Sequence, residues 1–239
     1  MKIFYDVPLV KQGLSECTQA SVTQLLNYYG ISKTIEEVKK EVPVYVSPEG
    51  KPVGTSLGHM GCYLLQQGFH ATIHIVDVEI FDRSWKGLHP EQLVQKLQER
   101  KQFIQHARYG KEAFDLIFDG YISFIKKGGA IELPVIDEAY LVKQLENGPF
   151  LAVVSYNFLH SDTKYRYDKE TNTDVRDDIK GNPTTHAIVV SGFNEGKFSI
   201  VDPDKENGGK KDISASQLIG AIYLAETDFD SLILTLHKK

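Results

Sequence analysis

Cysteine is scarce in this 239-residue chain, with Cys17 and Cys62 the only two. Two thiols form at most one bridge, which excludes a disulfide-framed secreted domain; a cytosolic setting keeps both reduced. Long apolar runs are missing too. Nothing approaches the ~18 consecutive apolar residues of a membrane span. The opening MKIFYDVPLVKQ carries Asp6 and Pro8 inside its short apolar stretch, unlike a signal peptide. The expected setting is the cytoplasm, with leaderless export also compatible, and no membrane partner. Positive charge is not in excess: Lys+Arg 27 against Asp+Glu 32 gives a net charge of −5. A nucleic-acid footprint is therefore not expected. There is no repeat, no low-complexity segment, and no GxSxG, Walker A or GxGxxG motif. What is present is ordinary for a soluble globular chain: 41% hydrophobic and 25% charged residues, enough length to bury a core without staples.

Periodicity and punctuation place the elements. Residues 1–12 read as an extended lead-in, with Pro8 keeping Val7 out of the helical region. Ala20, Val22, Leu25, Leu26 and Tyr29 recur at the helical period over Cys17 to Tyr29, and Gly30 supplies a left-handed cap. Thr34 with Glu37 forms a capping box for a second helix. Thr55 or Ser56 caps a third, which runs to Gly68. Ala71 to Val76 alternates like a strand. From Glu79 to Ile136 the pattern is helical: Pro90 suits a first turn, with Leu93, Leu97 and Ile104 behind it. Phe114 to Ile125 then forms an apolar stripe that stops at Gly128–Gly129, which reads as core packing. Asp137 caps a helix to Asn147–Gly148. Strands follow at Phe150 to Tyr156, Ala187 to Phe193 and Lys197 to Val201. Between the first two, Ser161 to Pro183 reads as a long solvated loop or loose hairpin. Ser214 with Gln217 boxes a short helix, and Ile233 to Leu236 is a final strand. Helices come first and strands later, which predicts α+β with a mainly antiparallel sheet.

Cys17 carries the chemical argument. A lone cysteine is more often a small buried hydrophobe. This one opens a helix, where free N–H groups and the positive dipole end lower a thiol pKa and favour the nucleophilic thiolate. Gln12, five residues earlier, has an amide able to join the Cys17 N–H as a second oxyanion donor. His186 opens one late strand and Asp202 closes the next. For a three-residue loop centred on Asn194, facing residues sum to 388, which makes His186 and Asp202 direct cross-strand neighbours. Asp202 would then hold the Nδ1–H of His186 and leave Nε2 free for a thiol. A slip of one residue would part them onto opposite faces.

Other groupings carry less. His70 and His74 share a strand face but lack further ligands at metal spacing. Asp168, Glu170, Asn172 and Asp174 mimic a calcium loop whose required Gly is Thr173. Cys62 sits among apolar helix neighbours and reads as core.

The segment VPLVKQGLSECTQASVTQLLNYYG resembles the nucleophile helix of bacteriocin-processing, double-glycine-leader peptidases and their free-standing relatives. VGTSLGHMGCYLLQQGFHATIHIV, LVKQLENGPFLAVVSY and HAIVVSGFNEGKFSIVDPDKENGG resemble that family's later blocks, in the same order. The resemblance implies a papain-like α+β fold, a helical part and an antiparallel sheet flanking a cleft, in one catalytic domain over 1–239. The helical stretch 79–136 is an insertion, expected to pack near the cleft and shape access to it. It further implies a cysteine peptidase acting on a peptide or protein without a cofactor or metal. Cys17 would be the nucleophile, His186 the base, Asp202 the orienting acid and Gln12 the oxyanion donor. Thr18 stands where the family usually has Gly, Gln19 where it has Pro or a small residue, and Glu16 where it has Asp. Two other outcomes stay open: an acyltransferase or transpeptidase with the same residues, and a non-catalytic peptidase-like binding domain.

Overall fold

The structure is a computed structural model and describes residues 2–46, 50, 52–103, 110–168, 170–171, 173–225 and 232–238. The first part of the chain is mainly helical. β1 (Lys2–Phe4) leads to α1 (Cys17–Tyr28) and α2 (Ile35–Glu41), then a small ladder of β2 (Tyr45–Val46) and β3 (Pro52–Gly54), then α3 (Leu57–Gln66). β4 (Phe69–Ile75), α4 (Pro90–Phe103), α5 (Gly110–Lys126) and β5 (Ala130–Glu132) follow. The remainder is α6 (Glu138–Leu145), β6 (Phe150–Ser155), α7 (Tyr156–His160), the hairpin β7 (Tyr165–Asp168) and β8 (Thr173–Arg176), β9 (Thr185–Asn194), β10 (Lys197–Asp202), β11 (Gly209–Ser214), α8 (Ala215–Tyr223) and β12 (Leu232–Lys238).

The main sheet runs β11-β10-β9-β6-β12-β4-β5, with β1 also on β9. Every pairing is antiparallel except β4 with β5. Apolar cores cover both faces. Leu151, Val153, Ala187 and Val189 pack with α1, α3 and α5; Phe150, Ala152, Val154, Ile188 and Val190 pack with α6 and α8. Two buried faces are why β6 and β9 read as unbroken apolar runs instead of alternating ones. Among the described residues no helix is long and apolar enough to cross a membrane.

Local signals and structure agree at most boundaries. Gly30 and Gly68 have φ of 82° and 88°, the left-handed conformation that closes α1 and α3. The Thr34–Glu37 capping box forms in full, and Asp137 accepts the Tyr140 N–H. Only half of the expected Ser214–Gln217 box forms: Ser214 Oγ takes the Gln217 N–H, while the Gln217 amide turns to the Leu159 carbonyl at 2.8 Å. Ser161 to Pro183 contains the β7–β8 hairpin. β5, β11 and α7 were not anticipated. Ile104 and Asn172 lie outside the described residues.

The described part of the stretch 79–136 packs on α3 and on β4. α5 lies along α3, so close that a Cβ on Gly58 would strike the Gly120 carbonyl carbon and the Tyr121 nitrogen. β5 then forms the sheet edge opposite β10 and β11. At the end of the stretch the Ile136 N–H reaches α8, donating to the Tyr223 hydroxyl at 3.0 Å. His74 is a satisfied core histidine, with Nδ1 2.8 Å from the Tyr140 hydroxyl and Nε2 2.9 Å from Thr235 Oγ1. Cys62 is buried in the core, as expected.

Candidate active site

The first intrahelical bond of α1 runs from the Ala20 N–H to the Glu16 carbonyl. The N–H groups of Cys17, Thr18 and Gln19 therefore stand at the open helix end. Ser15, at φ 56°, turns the chain into the helix. The Glu16 carboxylate accepts the Gly13 N–H at 3.0 Å and pairs with the Lys39 ammonium, which balances its charge beside the thiol. Gln19 is fully buried and its amide bridges the Val42 carbonyl and Thr55 Oγ1, tying α1 to the segment before α3. A larger residue here thus acts as a brace. One turn below Cys17 and on the same face, Ser21 Oγ donates to the Ala187 carbonyl at 3.0 Å. The Ala187 N–H in turn faces the Cys17 thiol. One residue of β9 thus holds the helix and contacts its first side chain.

His186 and Asp202 come together, by a different register from the one expected. Asn194 pairs with Lys197 across the two-residue turn Glu195–Gly196, whose φ values of 49° and 74° are both positive, as a type I′ turn requires. Paired residue numbers sum to 391 near the turn and to 390 beyond an irregularity between Ser199 and Ile200, not to 388. His186 lies opposite Val154 of β6. Extending the 390 register sets Asp202 against Ile188, so His186 is its diagonal neighbour on the same face. The imidazole spans that diagonal, and His186 Nε2 lies 2.8 Å from Asp202 Oδ1. This corrects the expected ring orientation. The far nitrogen reaches the carboxylate, which leaves Nδ1, nearer the backbone, clear of it, and the ring and the Cys17 thiol influence each other's charge. The Asp204 N–H adds a second donor to Oδ1 at 2.9 Å.

Gln12 arrives from the lead-in. Its N–H donates to the Pro203 carbonyl at 3.0 Å, which ties it beside Asp202, and its Oε1 is buried without a hydrogen-bond partner among the described residues. Among the described residues its backbone thus stands next to Asp202 in space, through Pro203.

These contacts set the protonation states. Burial pushes the Cys17 thiol up, yet the hydrogen bond and charge of His186, the Ala187 N–H and the Thr18 hydroxyl outweigh it, and the thiol pKa is lowered. Burial pulls His186 down, yet its bonds to Asp202 and Cys17 push it up to about 10. Asp202 is fully buried; burial raises its carboxyl, but the two histidines, His160 and His186, and the Asp204 N–H hold it well below the usual carboxylate range. The directions all favour the charged forms: a lowered thiol, a raised imidazole and a lowered carboxyl. Cys62, by contrast, is pushed up by burial.

His160 has no counterpart in the sequence analysis. Its Nε2 lies 3.1 Å from Asp202 Oδ2. It ends α7, a five-residue helix at the close of β6, and nothing in its local pattern marks it. The ligand atoms of His160, His186 and Asp202 lie within 4.8 Å of one another, a spread that suits a metal ion. With a proton on each nitrogen that faces the carboxylate, the trio offers a cation only the carboxylate lone pairs.

Comparison with known proteins gives the family. A solved C39-like chain from Bacillus anthracis matches with a TM-score of 0.50 at 12% identity, covering 100% of this chain and 98% of that one. The peptidase domain of Streptococcus ComA, a bifunctional ABC transporter of a quorum-sensing pathway, matches with a TM-score of 0.45 and 14% identity over 97% of this chain and 98% of that one. A double-glycine-motif protease from an AMS/PCAT transporter, solved with a leader peptide, gives 0.44 and 16% over 99% and 94%. No curated protein matches. The fold is α+β and papain-like, that of the C39 peptidases. A family model described as the Peptidase C39-like family matches residues 4–226, and the chain belongs to that family.

Proposed function

We propose that this protein is a cysteine peptidase that cleaves a peptide or protein substrate, with Cys17, His186 and Asp202 as its catalytic groups and Gln12 as an oxyanion donor. The observation that carries the reading is the 2.8 Å contact of His186 Nε2 with the buried Asp202 carboxylate, and the lowering of the helix-start thiol Cys17 by the same ring supports it. Membership of a peptidase-like family supports it. Two free cysteines fit a cytoplasmic setting, and the charge balance favours peptide over nucleic acid. The packing of α5 into the same core as α1 supports treating 1–239 as one catalytic domain.

The Cys17 thiolate attacks the scissile carbonyl carbon, and the carbonyl oxygen takes the charge between the Cys17 N–H and the Gln12 amide. The C–N bond breaks as His186 Nδ1–H gives its proton to the leaving amine. A thioester remains on Cys17. Water then attacks it, its proton passing to His186, and the carboxylate product leaves as the thiolate reforms. Asp202 keeps the ring turned so that Nδ1 faces the sulfur throughout. No cofactor takes part.

The test is digestion of a diverse peptide library followed by mass spectrometry. Wild-type protein should produce new termini, and Cys17→Ala should produce none at equal melting temperature. No cleavage by wild type, together with no capture of Cys17 by a peptidyl electrophile, overturns the reading. Transfer of the acyl group to added amine in preference to water would make it an acyltransferase.

A further inference from the structure

Asp202 holds two carboxylate oxygens in full burial, and the proposed mechanism uses one of them. Oδ1 receives His186 Nε2 and the Asp204 N–H. Oδ2 faces His160 Nε2 at 3.1 Å, an ion-pair distance outside hydrogen-bond geometry, and neither atom is hydrogen-bonded to any partner among the described residues. The other nitrogen of that ring, Nδ1, lies 3.2 Å from Lys211 Nζ. An ammonium has only protons to give, so Nδ1 accepts and the ring proton sits on Nε2, the nitrogen on the side of Oδ2. Lys211 is itself held by the Asn207 carbonyl at 2.8 Å and stands 3.9 Å from Oδ2. The histidine is fixed by its surroundings. Tyr156 packs on both rings, its centroid 4.5 Å from His160 and 5.5 Å from His186. Leu159 is buried in the core, and its carbonyl is held by Gln217.

We propose that His160 is a positioning residue for the Cys17 site, clamping Oδ2 so that Oδ1 stays on His186 and linking the buried carboxylate to the Lys211 ammonium. This rests on the peptidase reading above. Without the clamp the carboxylate is free to turn about its Cβ–Cγ bond, and Lys211 at 3.9 Å is the polar neighbour left to Oδ2. Charge gives a second reason. Thiolate, imidazolium and carboxylate together carry one net negative charge, and Lys211, at the solvent edge, cancels it through a ring that needs no charge of its own. The ionisable groups facing this ring are Asp202 and Lys211 at its nitrogens, with His186 and Tyr156 at its faces. Asp204 and Asp162 stand one step behind, through the Tyr156 hydroxyl and the Asn207 amide.

The test reads Cys17 alkylation by iodoacetamide against pH in the full chain, with Cys17 and Cys62 resolved by peptide mass spectrometry, alongside kcat and KM on a cleaved peptide. His160→Phe keeps the ring and removes both nitrogens; His160→Gln keeps an N–H of similar reach. His160→Phe should move the rise of the Cys17 curve to higher pH and lower kcat roughly 10- to 100-fold, the worth of one bond to a buried charge, with KM unchanged. His160→Gln should recover most of the loss, and Lys211→Met should shift the curve the same way by less. An unmoved curve in folded His160→Phe, or His160→Gln no better than His160→Phe, overturns the proposal. Should His160→Phe unfold, Lys211→Met decides alone, and an unmoved curve there is the overturning result. If wild-type Cys17 is no more reactive than Cys62, the peptidase reading fails instead.

Discussion

His186 and Asp202 meet at 2.8 Å because β9 carries an extra residue, Ser191, where it passes Ser199 and Ile200 of β10. With the turn register continued unbroken, Asp202 would oppose Val189, and His186, three residues further along, would point to the other face. The extra residue changes the sum by one and restores the shared face. Bulges often re-aim a side chain in this way beside functional sites. Deleting one residue at the bulge should therefore part the pair and abolish cleavage, measurable on a folded variant with unchanged far-ultraviolet circular dichroism.

The lowered thiol predicts selective chemistry at Cys17. Iodoacetamide should label it well below the model thiol value of about 8.5, while Cys62, whose thiol is raised by burial, stays unlabelled in the native state. Cleavage should decline as pH passes about 10, where His186 gives up the proton the leaving amine needs. Equal labelling of both cysteines in native protein would contradict this.

Asp202→Asn keeps shape and removes charge. The loss of kcat should be partial, about 10- to 1,000-fold, against the ~10⁴-fold of the serine template, and Asp202→Ala should lose more because the ring is then free to turn. Stability follows the same group. A depressed carboxyl stabilises the fold above its unfolded pKa and loses that contribution as pH falls toward the folded value. The gap in urea midpoint between wild type and Asp202→Asn should therefore narrow below about pH 4. The raised His186 works in the opposite sense, stabilising at neutral pH and fading as pH climbs toward about 10.

Thr18 donates its hydroxyl to the Cys17 sulfur. Thr18→Val keeps the volume and removes the donor, so the labelling curve should move to higher pH and the rate at pH 6 fall about tenfold, the worth of one bond to a charged atom. A Thr18→Val curve that overlays the wild type would deny the hydroxyl that role.

Gly58→Ala sets a methyl against the backbone of α5 at its closest approach. A loss of about 3 kcal/mol is expected from overpacking, with the Cys17 labelling curve unchanged below the melting transition. Calorimetry and labelling on one sample would separate the two effects.

Legibility in the sequence tracked the range of each interaction. The caps at Gly30, Thr34 and Asp137 are local and were readable where they occur. The pairing of His186 with Asp202 was readable only as far as shared strands go: the turn at Glu195–Gly196 and the bulge are both departures that alternation alone does not encode. The imidazole orientation followed from the true diagonal, so it was misread along with the register. His160 was invisible because its significance comes from β6 lying beside β9, a pairing between segments more than thirty residues apart in sequence.

β12, residues 232–238, lies inside the main sheet, between β6 and β4. A strand made so late holds the two halves of the molecule together, so the sheet cannot close while residues 232–238 are still being synthesised. During translation β4 and β6 present bare edges toward each other, and the apolar layers on either side of them lack their shared wall. Completion of the sheet would thus wait until synthesis has passed this strand, a delay built from topology.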